Sequence, residues 1–202
     1  MKIYFSILNE GWVRTELAIK LPRWLDDARR NGHDIFYESS FLRPIEHNRN
    51  TIVKRFLASD CDYLLQIDND NIPARNPLEL VDLGLDVVSC PVWIYQDTLI
   101  LNIYRKEEGS EYLVPVDYNS NKNKGLICID ATGTGVLLTS RRVLEALKAP
   151  FERKYDENGI EELGQDLYFS RKAKEAGFKI FSHFDYIAKH YKEINLELFA
   201  NV

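Results

Sequence analysis

Two carboxylates stand two residues apart at the end of an apolar run. Residues 63–67, YLLQI, are followed at once by Asp68-Asn69-Asp70-Asn71. If the backbone turns after a strand there, Asp68 and Asp70 can converge on one hard cation. Mg²⁺ and Mn²⁺ take oxygen ligands and keep positions open for phosphate oxygens. Asp and Asn are also ordinary turn residues, so the pair gains its meaning from the strand before it. An EF-hand calcium loop does not fit, because its glycine is absent and a strand precedes instead of a helix. Further along, Asp166 follows Gly164-Gln165 at the head of a helical stretch, where it is either a helix cap or a general base for a hydroxyl. His190 stands beyond the last strand, where it reads as a surface residue beside Lys189 and Tyr191, and His183 lies seven positions earlier. His33 and His47 read as a loop residue and a helix-approach residue.

Positioning such groups requires a scaffold, and the chain alternates in the way one would. Residues 2–8 and 34–38 read as strands, with a helical apolar period between them over 15–30. Pro22 lies inside that period, so the helix starts there or is kinked. Residues 50–59 put Ile52, Val53, Phe56 and Leu57 on one helical face ahead of the 63–67 strand. The near-continuous apolarity of 63–67 fits a strand covered on both faces, as in a parallel α/β sheet. A short helix over 77–83 and a strand over 86–89 follow.

From about Trp93 the texture changes: 99–103, 112–116 and 126–129 read as strands with no helix between them. Residues 119–124 form a polar turn, 141–147 a helix, 150–164 an acidic loop, 166–176 a helix and 179–182 a last strand. The tail after Tyr191 has no placement. The fold class is therefore α/β. A Rossmann-like front half meets a more antiparallel back half in one mixed, mostly parallel sheet flanked by helices. Ligands of such sheets bind at the carboxyl ends of the strands, where Asp68 and Asp70 stand.

The 202 residues suggest one domain, 1–202. Apolar residues are 45% and charged residues 28%, the balance of an ordinary globular chain. A net charge of −5 leaves no cationic excess for phosphate neutralisation, which argues against nucleic acid as a partner. No apolar run approaches the roughly 18 residues of a membrane span, and residues 1–8 lack a cleavage site, so no transmembrane segment or signal peptide is expected. Cys61, Cys90 and Cys128 are too scattered for a disulfide framework or zinc site. They read as buried reduced thiols of a cytoplasmic protein.

The order strand, helix, strand, Arg-Asn helix, strand, Asp-x-Asp in RPIEHNRNTIVKRFLASDCDYLLQIDNDNIP resembles the type A (GT-A) glycosyltransferase fold. Gly133-Thr134-Gly135 before VLLTSRRVLEAL, and Gly164-Gln165-Asp166 before LYFSRKAKEAGFKIF with His190 beyond, extend the resemblance from about Arg43 to His190. The resemblance implies a metal-dependent glycosyltransferase using a UDP- or GDP-sugar donor, Mn²⁺ or Mg²⁺, and a glycan or other hydroxyl acceptor. It assigns 1–92 to the nucleotide sugar and 93–202 to the acceptor. It implies Asp70 and His190 as metal ligands, with Asp68 on ribose or metal. Asp166 would be the general base. Gln165 stands where the family commonly has Glu, which leaves inverting and retaining chemistry both open.

Asn9 and Glu10 should face the base, and Glu38 the base or ribose. Asn69 lies within the motif. Arg49 either reaches the diphosphate or is a surface cation. Trp93, with Tyr95, either floors a sugar site or belongs to the core. Gly133 either lets backbone approach the donor or is a turn leading into a strand. Two other readings compete. A nucleotidyltransferase would carry a Gly-rich basic loop after the first strand, where this chain has LNEGWVR. A non-catalytic sugar-nucleotide-binding domain is suggested by Gln165 alone.

Overall fold

The computed structural model describes residues 1–110 and 112–193; the unplaced tail at 194–202 lies outside the described residues. The front half runs β1 (Lys2–Leu8), α1 (Thr15–Arg30), β2 (Asp34–Ser40), α2 (Ile45–Ala58), β3 (Tyr63–Asp68) and β4 (Asn71–Pro73). A 3₁₀ turn (Pro77–Leu83) leads to β5 (Val87–Ser89). Two hairpin-like pieces follow, β6 (Trp93–Gln96) with β7 (Thr98–Leu101) and β8 (Ile103–Lys106) with β9 (Leu113–Pro115). Next come α3 (Tyr118–Asn121), β10 (Leu126–Ile129), β11 (Ala131–Thr132), β12 (Val136–Ser140) and α4 (Arg141–Ala146). The chain continues through β13 (Lys154–Tyr155), β14 (Glu161–Leu163), α5 (Gln165–Glu175), β15 (Ile180–His183), a 3₁₀ turn (Phe184–Tyr186) and β16 (Ala188–His190).

Among the described residues the main sheet has seven strands in the order β10-β15-β5-β12-β3-β1-β2. β2, β1, β3, β5 and β15 share one direction, while β12 and β10 run against them. This is the mixed, mostly parallel sheet that the sequence predicts. Strand alternation divides its side chains between two cores. Ile3, Phe5 and Ile7 of β1 and Leu65 and Ile67 of β3 pack with Leu17, Trp24 and Ala28 of α1. Tyr4, Leu8 and Leu64 pack on the other face with Ile52, Val53 and Phe56 of α2 and Phe169 and Ala173 of α5. Each such side chain, fully buried, contributes about 1.5–3 kcal/mol. The same period aims Asp68, two and four residues beyond Gln66 and Leu64, toward α2.

Several expectations change. α1 runs unbroken through Pro22, which lies exposed on the solvent side while Leu17, Trp24 and Ala28 hold the other face. α2 begins at Ile45, a turn earlier than its apolar period suggests, because Asn48 and Arg49 are themselves buried. The strand expected over 99–103 is two strands broken at Asn102, whose amide nitrogen bonds Val92 O at 2.8 Å. The turn at 119–124 starts inside α3, capped by Asp117 accepting from Ser120 N at 2.7 Å. The acidic loop at 150–164 contains the β13–β14 pair. Cys61 and Cys90 are buried, but Cys128 is exposed, since its alternate neighbours Ile127 and Ile129 take the inward positions on the edge strand β10.

Candidate functional site

The parallel strands β1 and β3 deliver their carboxyl ends to one edge of the sheet, and the reversed β12 starts there. Asp68 N bonds Gly135 O at 2.9 Å and Asn69 N bonds Leu8 O at 2.9 Å, so three strand ends are laced together. A cleft of about 360 Å³ opens over this edge. It brings together Asn9, Glu10, Asp68, Asn69, Asp70, Gln165, Asp166 and His190 from four separate stretches of chain.

Asp68 closes β3, facing α2. One turn before Ile52 and Val53, on the same helical stripe, Arg49 is buried to 1% exposure and its Nη2 donates to Asp68 Oδ1 at 2.6 Å. Arg49 is thus neither a surface cation nor a cleft-lining group; it is the internal counter-ion of Asp68, with its guanidinium 5.7 Å from the Phe151 ring. Burial pushes the Asp68 carboxyl up from its ordinary value, with the Arg49 charge pulling down and the Asp70 charge adding to the rise.

Asp70 lies in the turn between β3 and β4. The antiparallel pairing of β4 with β16 sets His190 opposite Asn71, and Tyr191 N bonds Asp70 O at 3.0 Å. That register brings His190 Nε2 to 3.4 Å from Asp70 Oδ2. Lys192 Nζ reaches the same oxygen at 2.7 Å, and Asn71 Nδ2 donates to Asp70 Oδ1 at 2.9 Å. Against burial, which pushes it up, the His190 and Lys192 hydrogen bonds hold the Asp70 carboxyl below its ordinary value.

His190 Nδ1 lies 2.7 Å from Trp93 O. A carbonyl oxygen only accepts, so Nδ1 carries a proton and Nε2 is the ring nitrogen left facing the Asp70 carboxylate. An imidazole whose Nδ1–H is fixed by a backbone carbonyl while its Nε2 faces a carboxylate is an arrangement used to hold cations. Among the described residues no cluster of three or more His, Cys, Asp and Glu is arranged around one metal position. Asp70 and His190 are the side chains here whose donor atoms could hold a divalent ion.

On the opposite wall, α5 begins after Gly164. Gln165 Nε2 donates to Thr134 Oγ1 at 3.0 Å, and Asp166 Oδ1 accepts from Leu167 N at 2.8 Å. Asp166 thus touches its own helix N-terminus while facing the cleft. Asn9 and Asn69 act on the loop after β1. Asn9 Nδ2 donates to Ser39 Oγ at 2.7 Å and Asn69 Nδ2 to Trp12 O at 2.9 Å. Glu10 is exposed, 3.4 Å from Arg43.

Besides Arg49, three further candidates fall outside the lining. Glu38 pairs with Arg55 at 3.2 Å. Trp93 sets its ring 5.2 Å from that of Tyr118, tilted by 58°, and offers the cleft only the carbonyl that fixes His190. Gly133 is required by packing: a Cβ there would lie 1.7 Å from Asn102 Nδ2. That close approach seats Asn102 in the cleft. His183 serves β15 and the following 3₁₀ turn, with its ring 4.9 Å from Tyr186.

The lining also includes Asn71 and Thr134, which belong to the two motifs, and Trp12, Ile45, Val92, Asn102 and Lys192, none of them singled out in the sequence. Only Gly133 and Gly135 mark where Asn102 and Asn71 come close. Among the described residues no helix is long and apolar enough to cross a membrane.

No protein-family model and no curated protein sequence matches the chain. Solved structures do. A197 from STIV is 23% identical with a TM-score of 0.60, over 96% of this chain and 87% of that one. GalNAc-T7, crystallised with UDP, GalNAc and Mn²⁺, is 11% identical with a TM-score of 0.53, over 96% of this chain. The match spans 44% of the GalNAc-T7 chain, less than half its length. At these identities the likeness speaks to architecture, and the architecture is the GT-A-like one: a large, mostly parallel mixed sheet flanked by helices.

Proposed function

We propose that the cleft binds a nucleoside-diphosphate sugar, UDP- or GDP-linked, with Mn²⁺ or Mg²⁺, and transfers the sugar to a hydroxyl of a glycan or other acceptor. The observation that carries this reading is the convergence of Asp68, Asp70 and His190 across one cleft from Gln165 and Asp166, at the carboxyl ends of parallel strands. A fold shared with GalNAc-T7, whose crystal holds UDP, GalNAc and Mn²⁺, supports it.

In this reading Asp70 and His190 Nε2 hold the cation, and Asp68, clamped by Arg49, contacts ribose or the same ion. The bound ion supplies Lewis-acid stabilisation of the departing diphosphate. Asn9 and Glu10 flank the base side. Asp166 accepts the proton of the acceptor hydroxyl as its oxygen bonds the anomeric carbon and the carbon–phosphate oxygen bond breaks. Gln165 is a neutral amide and takes no proton; it orients groups near the reacting carbon through its free carbonyl oxygen.

Calorimetry with UDP and GDP tests the reading. Affinity for one of them should rise at least about tenfold with Mn²⁺, or about 1.4 kcal/mol. Equal affinity in EDTA removes the metal from the site. Products then separate reaction classes: sugar transfer releases nucleoside diphosphate, whereas a nucleotidyltransferase turns over nucleoside triphosphate and releases pyrophosphate.

A further inference from the structure

Each carboxylate of the Asp-x-Asp pair already faces a cation of the chain itself. Asp68 has Arg49 at 2.6 Å and Asp70 has Lys192 at 2.7 Å. The two cations differ in what they can do. Arg49 is 1% exposed, under α2 and against Phe151, and has nowhere to go. The Lys192 side chain is 61% exposed, on a four-carbon stem just beyond β16. The chain one residue back is fixed, because Tyr191 N bonds Asp70 O at 3.0 Å and Tyr191 Oη donates to Glu16 at 2.7 Å. The ammonium can therefore leave Asp70 by rotating its own bonds, with no strand moving.

We propose that Lys192 is the exchangeable resident cation of Asp70, and that a nucleoside diphosphate draws it away and opens that carboxylate to the divalent ion. The proposal rests on the functional reading above and adds an order of events to it. A divalent ion approaching the free protein meets Asp70 Oδ1 occupied by Asn71 and Oδ2 occupied by Lys192, with His190 Nε2 3.4 Å from that same Oδ2. An ammonium about 4 Å from the ion repels it by about 2 kcal/mol even at the permittivity of water. Only the carboxylate of this pair is sheltered, at 17% exposure; the ammonium stays in water, so a diphosphate, carrying more negative charge than one carboxylate, competes for it. The same step removes the repulsion and brings phosphate oxygens to complete the ion's ligands. Nucleotide and metal then promote each other's binding by one shared factor.

The test is calorimetric titration of Mn²⁺ into the full chain, without nucleotide and with saturating UDP or GDP. The proteins are wild type, Lys192→Met and Lys192→Arg. Lys192→Met should bind Mn²⁺ alone at least about tenfold more tightly than wild type, on the Coulomb scale above. Its gain from nucleotide should shrink by a similar factor. Lys192→Arg keeps the charge and should keep the wild-type pattern. If Lys192→Met keeps both the wild-type Mn²⁺ affinity and the wild-type gain, Lys192 is a surface ion pair only; the proposal falls and the metal-dependent reading stands. If Mn²⁺ binds none of the three proteins with or without either nucleotide, the functional reading falls and takes the proposal with it.

Discussion

Asp166 and Gln165 share the first turn of α5, and the difference between a carboxylate and an amide separates their roles. Asp166 spends Oδ1 on Leu167 N at 2.8 Å, so it helps satisfy the helix N-terminus whatever else it does. Asp166→Asn keeps an oxygen for that bond, and stability should stay within about 0.5 kcal/mol of wild type. Loss of the proton acceptor should lower the transfer rate at saturating donor by about 10²–10⁴ while donor affinity is retained. Near-normal turnover would leave Asp166 as a cap and send the search for the base elsewhere.

The residues legible in the sequence were those whose type and place in a strand–turn pattern are rare together: Asp68, Asp70, Gln165, Asp166 and His190 all meet in the cleft. Arg49 was visible as a cation but not as a buried one, since nothing local says that its stripe of α2 faces a strand end. Lys192 and Asn102 were not legible, because their places depend on the β16–β4 register and on the close approach at Gly133.

At the scale of elements, the long ones announced themselves and the short ones did not. β1, α1, β3 and α5 carry enough period to be read, and their bounds agree with expectation within a residue or two. β4, β11 and β16 have two or three residues each, too few for any period, and form only through partners distant in sequence. A single side chain joins several elements in a way no pattern displays. Arg141, at the start of α4, donates to Phe56 O at 3.1 Å, Leu57 O at 3.3 Å, Ser59 O at 2.8 Å and Cys61 O at 2.8 Å. These carbonyls lie where α2 ends and turns into β3, and a cation is favoured there by the helix dipole. Arg141→Ala leaves them without that donor fork. Hydrogen bonds to charged groups contribute about 1.5–3 kcal/mol each but are not additive, so the loss should be about 2–4 kcal/mol in urea unfolding. Because α2 also carries Arg49, donor affinity should fall in the same variant. A midpoint unchanged within error would make the four contacts incidental.

Across the whole molecule, burial is uneven in a way that bears on the cleft. The two cores fill both faces of the seven-stranded sheet. The β13–β14 pair, by contrast, has no fully buried residue in either strand, and Tyr155 and Ile160 stand exposed. What fastens it is charge: Arg153 bonds Glu46 at 3.2 Å and Glu161 at 2.5 Å, and Lys154 pairs with Glu162. Exposed pairs of this kind contribute about 0–1 kcal/mol each and weaken with salt. A segment so held should open locally at far lower cost than the sheet unfolds. It also runs directly into Gly164 and Gln165, so order at the cleft and order in this pair are mechanically linked. Limited proteolysis of the free protein should therefore cut first within residues 152–162, faster at high salt, while the sheet stays intact. Mn²⁺ with the nucleotide that binds should slow that cut, because fixing Gln165 and Asp166 on a ligand raises the cost of opening the chain just before them. Cleavage there at the same rate with every metal and nucleotide pair, including one shown by calorimetry to bind, would mean that this pair moves independently of the site.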